Sequence, residues 1–182
     1  MNDVLKNFSM KLISQADLNI QAIDETACTF IENALLKARH ASLLSGLPAV
    51  ADDSGLLVPA LDNAPGIYSA RFAGLHASDE DNVKKLLHDL QHMPDEKRSA
   101  IFYCVLVFIE HAKDPDPLIA EGRWHGIITK EPKGSHGFGY DPIFYVPSEK
   151  KTAAELSLAI KNKISHRGIA LQQLAKKISE TL

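Results

Sequence analysis

The sequence predicts an α/β fold: a single mixed-sheet domain over residues 1–182, flanked by helices, with two lobes around a central cleft. Segments with helical and extended periodicity alternate along the chain, which is typical of this fold class. The apolar run over residues 100–109 lacks the alternation of a half-exposed strand, so we expect both its faces to be covered. The 182 residues, 45% of them hydrophobic, suffice for one sizeable core or for two lobes.

Local signals predict the elements of the first half. Residues 1–9 place apolar side chains at helical spacing, and residues 10–13 resemble a short strand. Thr29 and Glu32 form a capping-box pattern, and the helix that they start is expected to end near Gly46. The predicted inward positions of this helix share its apolar face: Phe30, Ala34, Leu35, Ala38 and Leu44.

The following elements have similar signals. A strand from Ala49 is expected to end at two adjacent acids, and a helix headed by Ser78 is expected to stop before Pro94. Residues 118–130 return as an extended segment that forms a hairpin with the apolar strand.

Two helices are predicted near the end of the chain. Thr152 and Glu155 form a second capping-box pattern, with a helix expected to run to about Ile160. Ser165 heads a final amphipathic helix, with Leu174 among its inward residues.

Composition narrows the possible functions. The net charge of −3 does not favour a large nucleic-acid surface, but it is compatible with a small anionic ligand held by a few cationic side chains. The longest apolar run is about half the roughly 20 residues of a membrane-spanning helix. Two cysteines indicate reduced thiols, and the first residues do not resemble a signal peptide, so we expect a cytoplasmic protein.

The acids Asp52 and Asp53 are the first candidate site. Two carboxylates that follow a strand would lie at the rim of a sheet, where α/β folds bind ligands. Mg²⁺ takes one or two protein carboxylates and completes its shell with water and phosphate oxygens. Glu25 and Asp53 would therefore suffice as its protein ligands. The alternative is that such acids cap local backbone amides or oppose a helix dipole.

A glycine-rich loop is the second candidate. Gly137 and Gly139 allow a ligand to approach the backbone closely, and Phe138 offers a ring face on which a base could stack. Asp141 could accept hydrogen bonds from a purine N–H group or simply cap the turn. Glycines in a hairpin loop are common, so the loop alone is a weak signal.

Cations form the third candidate. Lys161, His166 and Arg167 surround the start of the last helix, where donors can hold an anion or a carbonyl oxygen. Each alone is more often a solvated surface residue. Lys37 could reach a phosphate or pair with Glu32 of its own helix.

Five motifs in this order resemble those of the inosine triphosphate pyrophosphatase family, which includes the dITP/XTP pyrophosphatases. They are Thr29–Ala34 (TFIENA), Ala51–Leu56 (ADDSGL), Pro65–Phe72 (PGIYSARF), Gly137–Pro142 (GFGYDP) and Ser165–Arg167 (SHR). The resemblance covers nearly all of the chain from about Ala16. It implies Mg²⁺-dependent hydrolysis of non-standard purine nucleoside triphosphates (ITP, dITP, XTP) to a monophosphate and pyrophosphate, by a homodimer that cleans the nucleotide pool.

The resemblance also implies roles for individual residues. Asp53 resembles the general base and metal ligand of the family, and Glu25 its second metal ligand. The remaining matched positions resemble substrate contacts: Ser54, Lys37, Phe138, Gly139, Tyr140, Asp141, Lys161, His166 and Arg167. Phe138 to Asp141 would hold the base, while the last three residues would contact its keto edge.

One departure from the family pattern concerns the N-terminus. Family members begin with an apolar strand and a Ser/Thr-x-Asn-x-x-Lys loop that binds the triphosphate, and we expect both to be missing here. The alternative function is therefore a catalytically impaired nucleotide-binding dimer. Two further alternatives are another metal-dependent phosphatase, which would release orthophosphate, and a scaffold whose motifs are only structural.

Overall fold

The structure is a computed structural model that describes residues 11–181. The helix predicted over residues 1–9 and the first residue of the strand predicted over 10–13 lie outside the described residues. For residues 11–13 the strand prediction is wrong, because these residues are irregular. Leu12 packs against a hydrophobic core, whereas Ile13 is 46% exposed and the chain continues into turns.

The described residues contain both helices and strands. In chain order these are α1 (Phe30–Ser45), β1 (Ala49–Leu57), β2 (Pro65–Gly66), α2 (Asp79–Asp89), β3 (Ser99–Ile109), β4 (Leu118–Ile128), β5 (Phe144–Val146), β6 (Lys151–Thr152), α3 (Leu158–Ile164) and α4 (His166–Thr181). The strands form one sheet in the order β2-β1-β3-β4-β5-β6. The pairs β1–β2, β4–β5 and β5–β6 are antiparallel. The predicted α/β fold class is confirmed.

Capping side chains start the first two helices where the sequence predicts. The Thr29 hydroxyl accepts the backbone N–H of Glu32 at 3.2 Å, and Gly46 ends α1 with a φ of 69°. Ser78 and Asp81 form a reciprocal capping box at the start of α2. Among the described residues, none of the helices has the length and apolar character that a membrane span requires.

The inward face of α1 differs from the prediction at one end. Phe30, Ala34 and Ala38 are buried as predicted, but Leu44 is 58% exposed. The buried stripe instead continues at a four-residue step through Ser42. Leu44 lies two residues further along the helix, which rotates its side chain to the opposite side.

The capping box at Thr152 is present, but the predicted helix does not follow it. Glu155 accepts the backbone N–H of Thr152 at 2.8 Å and closes only a short 3-10 turn, Ala153–Glu155. Leu156 is then extended, with a ψ of 146°, and α3 begins after a new cap at Ser157. The prediction of one helix from Thr152 is therefore wrong, because the local cap stabilises a single turn.

The chain forms two compact units, which match the two predicted lobes in number. Unit 1 contains the described part of Met1–Asp53, Cys104–Gly122 and His166–Leu182, and unit 2 contains Ser54–Tyr103 and Arg123–Ser165. The central cleft stays a prediction.

Each unit has its own apolar core. The core of unit 1 comprises Cys104, Leu106, Ala120, Ala170, Leu171, Leu174 and Ile178. The core of unit 2 comprises Leu56, Val58, Val83, Leu86, Leu90, Ala100, Phe102, Trp124, Ile128, Tyr140, Ile143, Phe144, Val146, Ala153 and Leu156. The ring centroids of Phe102 and Trp124 lie 4.5 Å and 5.1 Å from that of Phe144. Burial of both faces of β3, as at Val105 and Leu106, confirms the prediction of a covered strand.

Strand β1 does not end at its acids. It continues from Ala49 through Asp52 and Asp53 to Leu57, so the prediction that both carboxylates follow the strand is wrong. Consecutive side chains of a strand point to opposite faces, so these two carboxylates are directed away from each other. The strand tolerates both carboxylates because each has a cationic partner: Lys37 for Asp53 and Arg167 for Asp52.

A buried arginine stabilises unit 2, and its loss should be measurable. Arg98 is 2% exposed and donates to the backbone carbonyls of Ile128 (2.8 Å), Leu90 (2.7 Å) and Thr129 (2.8 Å). We expect Arg98→Met to lower the free energy of unfolding by about 3 kcal/mol, because the carbonyls lose charged donors. Urea denaturation would measure this. Lys97→Met is the matched control at an exposed neighbour, and equal midpoints for the two variants would contradict the prediction.

Candidate active site

A buried carboxylate on β1 is held by a lysine from α1. Asp53 is 6% exposed, and its Oδ1 accepts a hydrogen bond from Lys37 Nζ at 3.0 Å. The same ammonium group donates to Glu25 Oε1 at 2.8 Å. These three residues, called here the acid–lysine cluster, come from β1, α1 and the segment before α1. The structure therefore brings together the predicted general base, the predicted second metal ligand and one predicted substrate contact within unit 1.

Asn33 supports this cluster, although it is not among the site residues predicted from the sequence. It lies four residues before Lys37, so both side chains project from one face of α1. Its Nδ2 is 3.4 Å from Asp53 Oδ2, and its Oδ1 accepts the backbone N–H of Ala27 at 3.0 Å. A fully buried amide on the apolar face of a helix needs such partners. Its position beside Ala34 on the inward face is the sequence signal that could have identified it.

The charges of the cluster are unbalanced. Burial raises the pKa of Asp53 above its ordinary value, and Lys37 opposes this rise while the charge of Glu25 adds to it. Burial alone would lower the pKa of Lys37, but its hydrogen bonds to Glu25 and Asp53 raise it instead. The lysine is thus compensated by two carboxylates, whereas Asp53 shares its single cation with a second acid. An additional cation would stabilise both acids.

The pairing of Lys37 excludes one of the two alternatives considered for it, an ion pair with Glu32. Its two carboxylate partners lie outside its own helix. Glu32, the partner considered within α1, instead accepts the hydroxyl hydrogen of Thr29 at 2.8 Å and completes the cap. Lys37 is therefore directed toward the acids of the candidate site.

The second acid of β1 has a separate cationic partner. Asp52 Oδ2 accepts hydrogen bonds from Arg167 Nη2 at 2.7 Å and from Arg167 Nε at 3.2 Å. The side chains are 29% and 38% exposed, respectively. Asp52 and Arg167 both belong to unit 1, and sequence analysis did not foresee their pairing.

The start of α4, which carries His166 and Arg167, packs tightly against β4. His166 is 5% exposed. A Cβ atom at Gly122 would lie 2.8 Å from Ala170 N and would also overlap the carbonyl oxygen of His166. Glu121, beside this glycine, donates its backbone N–H to the side chain of α4 residue Gln173 at 3.3 Å. The absence of a side chain at Gly122 thus fixes the approach of the helix that presents two predicted site residues.

The glycine loop lies in unit 2 and is closed by Asp141. This residue is 2% exposed, and its Oδ2 accepts the backbone N–H of Phe138 at 2.9 Å and pairs with Lys161. The Lys161 ammonium lies 5.0 Å from the centroid of the Phe138 ring, which is part of a residue 60% exposed. Gly137 has a φ of +87°, and a Cβ there would overlap the Asp141 carboxylate. The carboxylate therefore caps the turn, one of its two predicted roles.

Two further contacts hold this loop, and both involve residues that sequence analysis did not select. Gly139 donates its backbone N–H to Asp79 Oδ2 at 2.6 Å. Tyr140 is 3% exposed and donates its hydroxyl to the Ser69 carbonyl at 2.9 Å. Burial raises the pKa of the Tyr140 hydroxyl, so the group remains a donor at neutral pH. The PGIYSARF motif contains Ser69, but its spacing gives no indication of the partner.

The predicted residues are therefore divided between the units. Unit 1 contains Glu25, Lys37, Asp53, His166 and Arg167. Unit 2 contains Ser54, Phe138, Gly139, Tyr140, Asp141 and Lys161. Ser54 follows Asp53 directly in β1 and is partly buried. Over residues 11–181 no group of three or more metal-ligating side chains occurs.

A buried aspartate on the sheet, a second carboxylate before α1 and a lysine between them are groups that can bind a hard cation and phosphate oxygens. The family model described as the Ham1 family matches residues 1–177, and the chain belongs to this family.

The chain is also similar in sequence and structure to named proteins. The dITP/XTP pyrophosphatase of Shigella flexneri is 57% identical over 171 residues, which are 94% of this chain and 87% of that protein. The protein of the same name from Escherichia coli (strain K12) is 56% identical over the same shares. A solved HAM1 protein from Coxiella burnetii has a TM-score of 0.93 at 50% identity, covering 98% of this chain and 91% of that one. These findings confirm the resemblance predicted from the five motifs.

Proposed function

We propose that this chain hydrolyses non-standard purine nucleoside triphosphates, such as ITP, dITP and XTP, to the monophosphate and pyrophosphate. The observation that carries this proposal is the acid–lysine cluster in a chain more than half identical to proteins named dITP/XTP pyrophosphatase. Removing such nucleotides would keep them out of the pool of nucleic-acid precursors.

Asp53 is proposed as the general base. Its carboxylate would accept a proton from the water that attacks the α-phosphorus, and the proton would return to solvent with the products. Lys37 fixes the orientation of this carboxylate and offers positive charge to the phosphates. Ser54, next in the strand, is proposed to donate to the substrate. Burial of Asp53 and its support by Asn33 keep the base in one orientation.

The donor set fits Mg²⁺. Glu25 and Asp53 each place a carboxylate oxygen within 3.0 Å of the same ammonium nitrogen, so both acids face one point. Mg²⁺ takes one or two protein carboxylates when nucleotide phosphates complete its shell, so these two acids are sufficient. When bound there, Mg²⁺ would neutralise phosphate charge and orient the leaving pyrophosphate.

Recognition of the purine is proposed for the glycine loop and the late cations. The exposed ring of Phe138 offers a stacking face, and its neighbours Gly139, Tyr140 and Asp141 hold it in place. Lys161, His166 and Arg167 are proposed to donate to the keto oxygens of the base. Adenine carries an amino group at the 6-position, and its donors would face these donors, so ATP should be a poor substrate.

The assembly and location of the protein are also part of the proposal. We expect residues 1–182 to act as a nucleoside triphosphate pyrophosphatase domain, as a homodimer in the cytoplasm. The expected partner is the small-molecule nucleotide, without nucleic acid or membrane. Sedimentation equilibrium would report the dimer.

Product identity tests the function. The purified chain is incubated with ITP and Mg²⁺, and the products are separated by ion-exchange chromatography. We expect IMP and pyrophosphate in equal amounts, with loss of turnover in EDTA and recovery on adding Mg²⁺. Release of orthophosphate would favour another phosphatase. Binding of IMP in calorimetry without turnover of ITP would favour the catalytically impaired dimer.

A further inference from the structure

Asp52 has no role in the proposed chemistry, yet it accepts two hydrogen bonds from Arg167. Both donors of Arg167 in this contact, Nε and Nη2, meet the same oxygen, Asp52 Oδ2. The pair links β1 to the second residue of α4 within unit 1. Two carboxylates that are adjacent in sequence thus have different cations: Asp53 has Lys37, and Asp52 has Arg167.

The contact changes what the guanidinium can recognise. An isolated arginine attracts anions, and phosphate above all, because its charge and its fork of donors match phosphate oxygens. A carboxylate at 2.7 Å cancels most of that charge at longer range. The N–H groups nevertheless remain hydrogen-bond donors in a fixed plane. A paired arginine is therefore suited to a neutral carbonyl acceptor in a defined direction.

The contact also limits the motion of a long side chain. Arginine has several rotatable bonds, and an unrestrained side chain loses entropy when it binds a ligand. Asp52 lies within β1, which is hydrogen-bonded to β3 in the sheet, so the backbone that carries this carboxylate is held in place. Two hydrogen bonds to this carboxylate fix the guanidinium before the ligand arrives.

We propose that Asp52 is a positioning residue that determines purine specificity through Arg167. It orients the guanidinium toward a keto oxygen of the base and neutralises it, so that Arg167 does not serve as a competing site for the triphosphate. This inference rests on the proposed function. The chemical group recognised is a neutral oxo group on a purine ring.

A double-mutant cycle tests the proposal. The variants are Asp52→Ala, Arg167→Ala and the double variant, each assayed for kcat and KM with ITP and ATP. We expect Asp52→Ala to raise KM for ITP about tenfold, with kcat within about twofold, and to reduce the preference for ITP over ATP. In the Arg167→Ala background, Asp52→Ala should have no further effect, because its influence passes through the guanidinium.

A second variant separates geometry from charge. Asp52→Asn keeps an oxygen that accepts from Arg167 but removes the negative charge that Asp52 places beside the guanidinium. We expect the KM of Asp52→Asn for ITP to lie between that of the wild type and that of Asp52→Ala. We also expect inorganic tripolyphosphate to inhibit Asp52→Asn at about tenfold lower concentration than the wild type. Thermal unfolding followed by circular dichroism verifies that each variant is folded.

The outcomes distinguish this inference from the function on which it rests. The affinity of IMP, measured by calorimetry for the same four proteins, yields the same cycle without turnover. If the wild type does not hydrolyse ITP, the proposed reaction is refuted. Coupling between the two residues in IMP affinity would still support the role of Asp52 in positioning Arg167. Equal effects of Asp52→Ala with and without Arg167 would overturn the inference, as would unchanged tripolyphosphate inhibition in Asp52→Asn.

Discussion

Replacing Asp53 by asparagine is expected to lower kcat for ITP hydrolysis by about a thousandfold or more, since a general base alone contributes roughly 10²–10⁴-fold. The amide removes the proton acceptor and one of the two oxygens proposed for Mg²⁺. It keeps the shape of the side chain, so Asn33 and Lys37 retain a neighbour of the same size. The change therefore tests chemistry more than packing.

The stability of this variant should change little. Burial makes the charged form of Asp53 unfavourable, and Lys37 retains Glu25 as a partner when the charge is lost. We expect a free energy of unfolding within about 1 kcal/mol of the wild type, measured in urea. Rates come from pyrophosphate release at saturating ITP and Mg²⁺. Glu96→Gln, at an exposed acid of unit 2, is the control that should retain full activity. An Asp53→Asn variant with a tenth of the wild-type kcat would exclude Asp53 as the base.

Local signals predicted the helices well because their ends are stabilised by residues close in sequence. The caps at Thr29 and Ser78 each involve a residue three positions away, so the pattern is visible in the chain itself. The buried strand β3 was equally predictable, because an uninterrupted apolar run has few alternatives. At Thr152 the same local signal predicted too much, because a satisfied capping box does not determine how many turns follow it.

The course of β1 could not be predicted from its own residues. Adjacent carboxylates are unfavourable inside a strand unless they are paired, and their partners are distant in sequence. Lys37 is 16 residues from Asp53, and Arg167 is 115 residues from Asp52. The sequence identified the acids as unusual. It did not indicate that the two carboxylates point to opposite faces, because that depends on the continuation of β1 through both acids.

The supports of the glycine loop were missed for the same reason. Asp79 and Ser69 lie 60 and 71 residues from the loop residues that they bind. Each occurs in a segment that has another local explanation: Asp79 is an acid in the first turn of a helix, and Ser69 begins a short turn. A local explanation for a residue therefore does not exclude a distant partner.

Gly122→Ala is expected to damage both stability and substrate binding. The new methyl group would lie 2.8 Å from Ala170 N and overlap the His166 carbonyl, so α4 must shift away from β4. We expect the free energy of unfolding to fall by about 3 kcal/mol, at the upper end of overpacking effects. The displaced helix carries His166 and Arg167, and a shift of about 1 Å can lower kcat/KM for ITP about a hundredfold.

Gly126→Ala is the matched control, because it adds the same methyl group to the same face of β4. Its Cβ would lie 2.5 Å from the Phe144 ring, in the core of unit 2. Urea denaturation and ITP kinetics would be measured for both variants at a temperature where both are folded. We expect similar losses of stability, but a change in kcat/KM within about threefold for Gly126→Ala. Equal losses of kcat/KM would mean that overpacking of β4, and not the placement of α4, limits substrate binding.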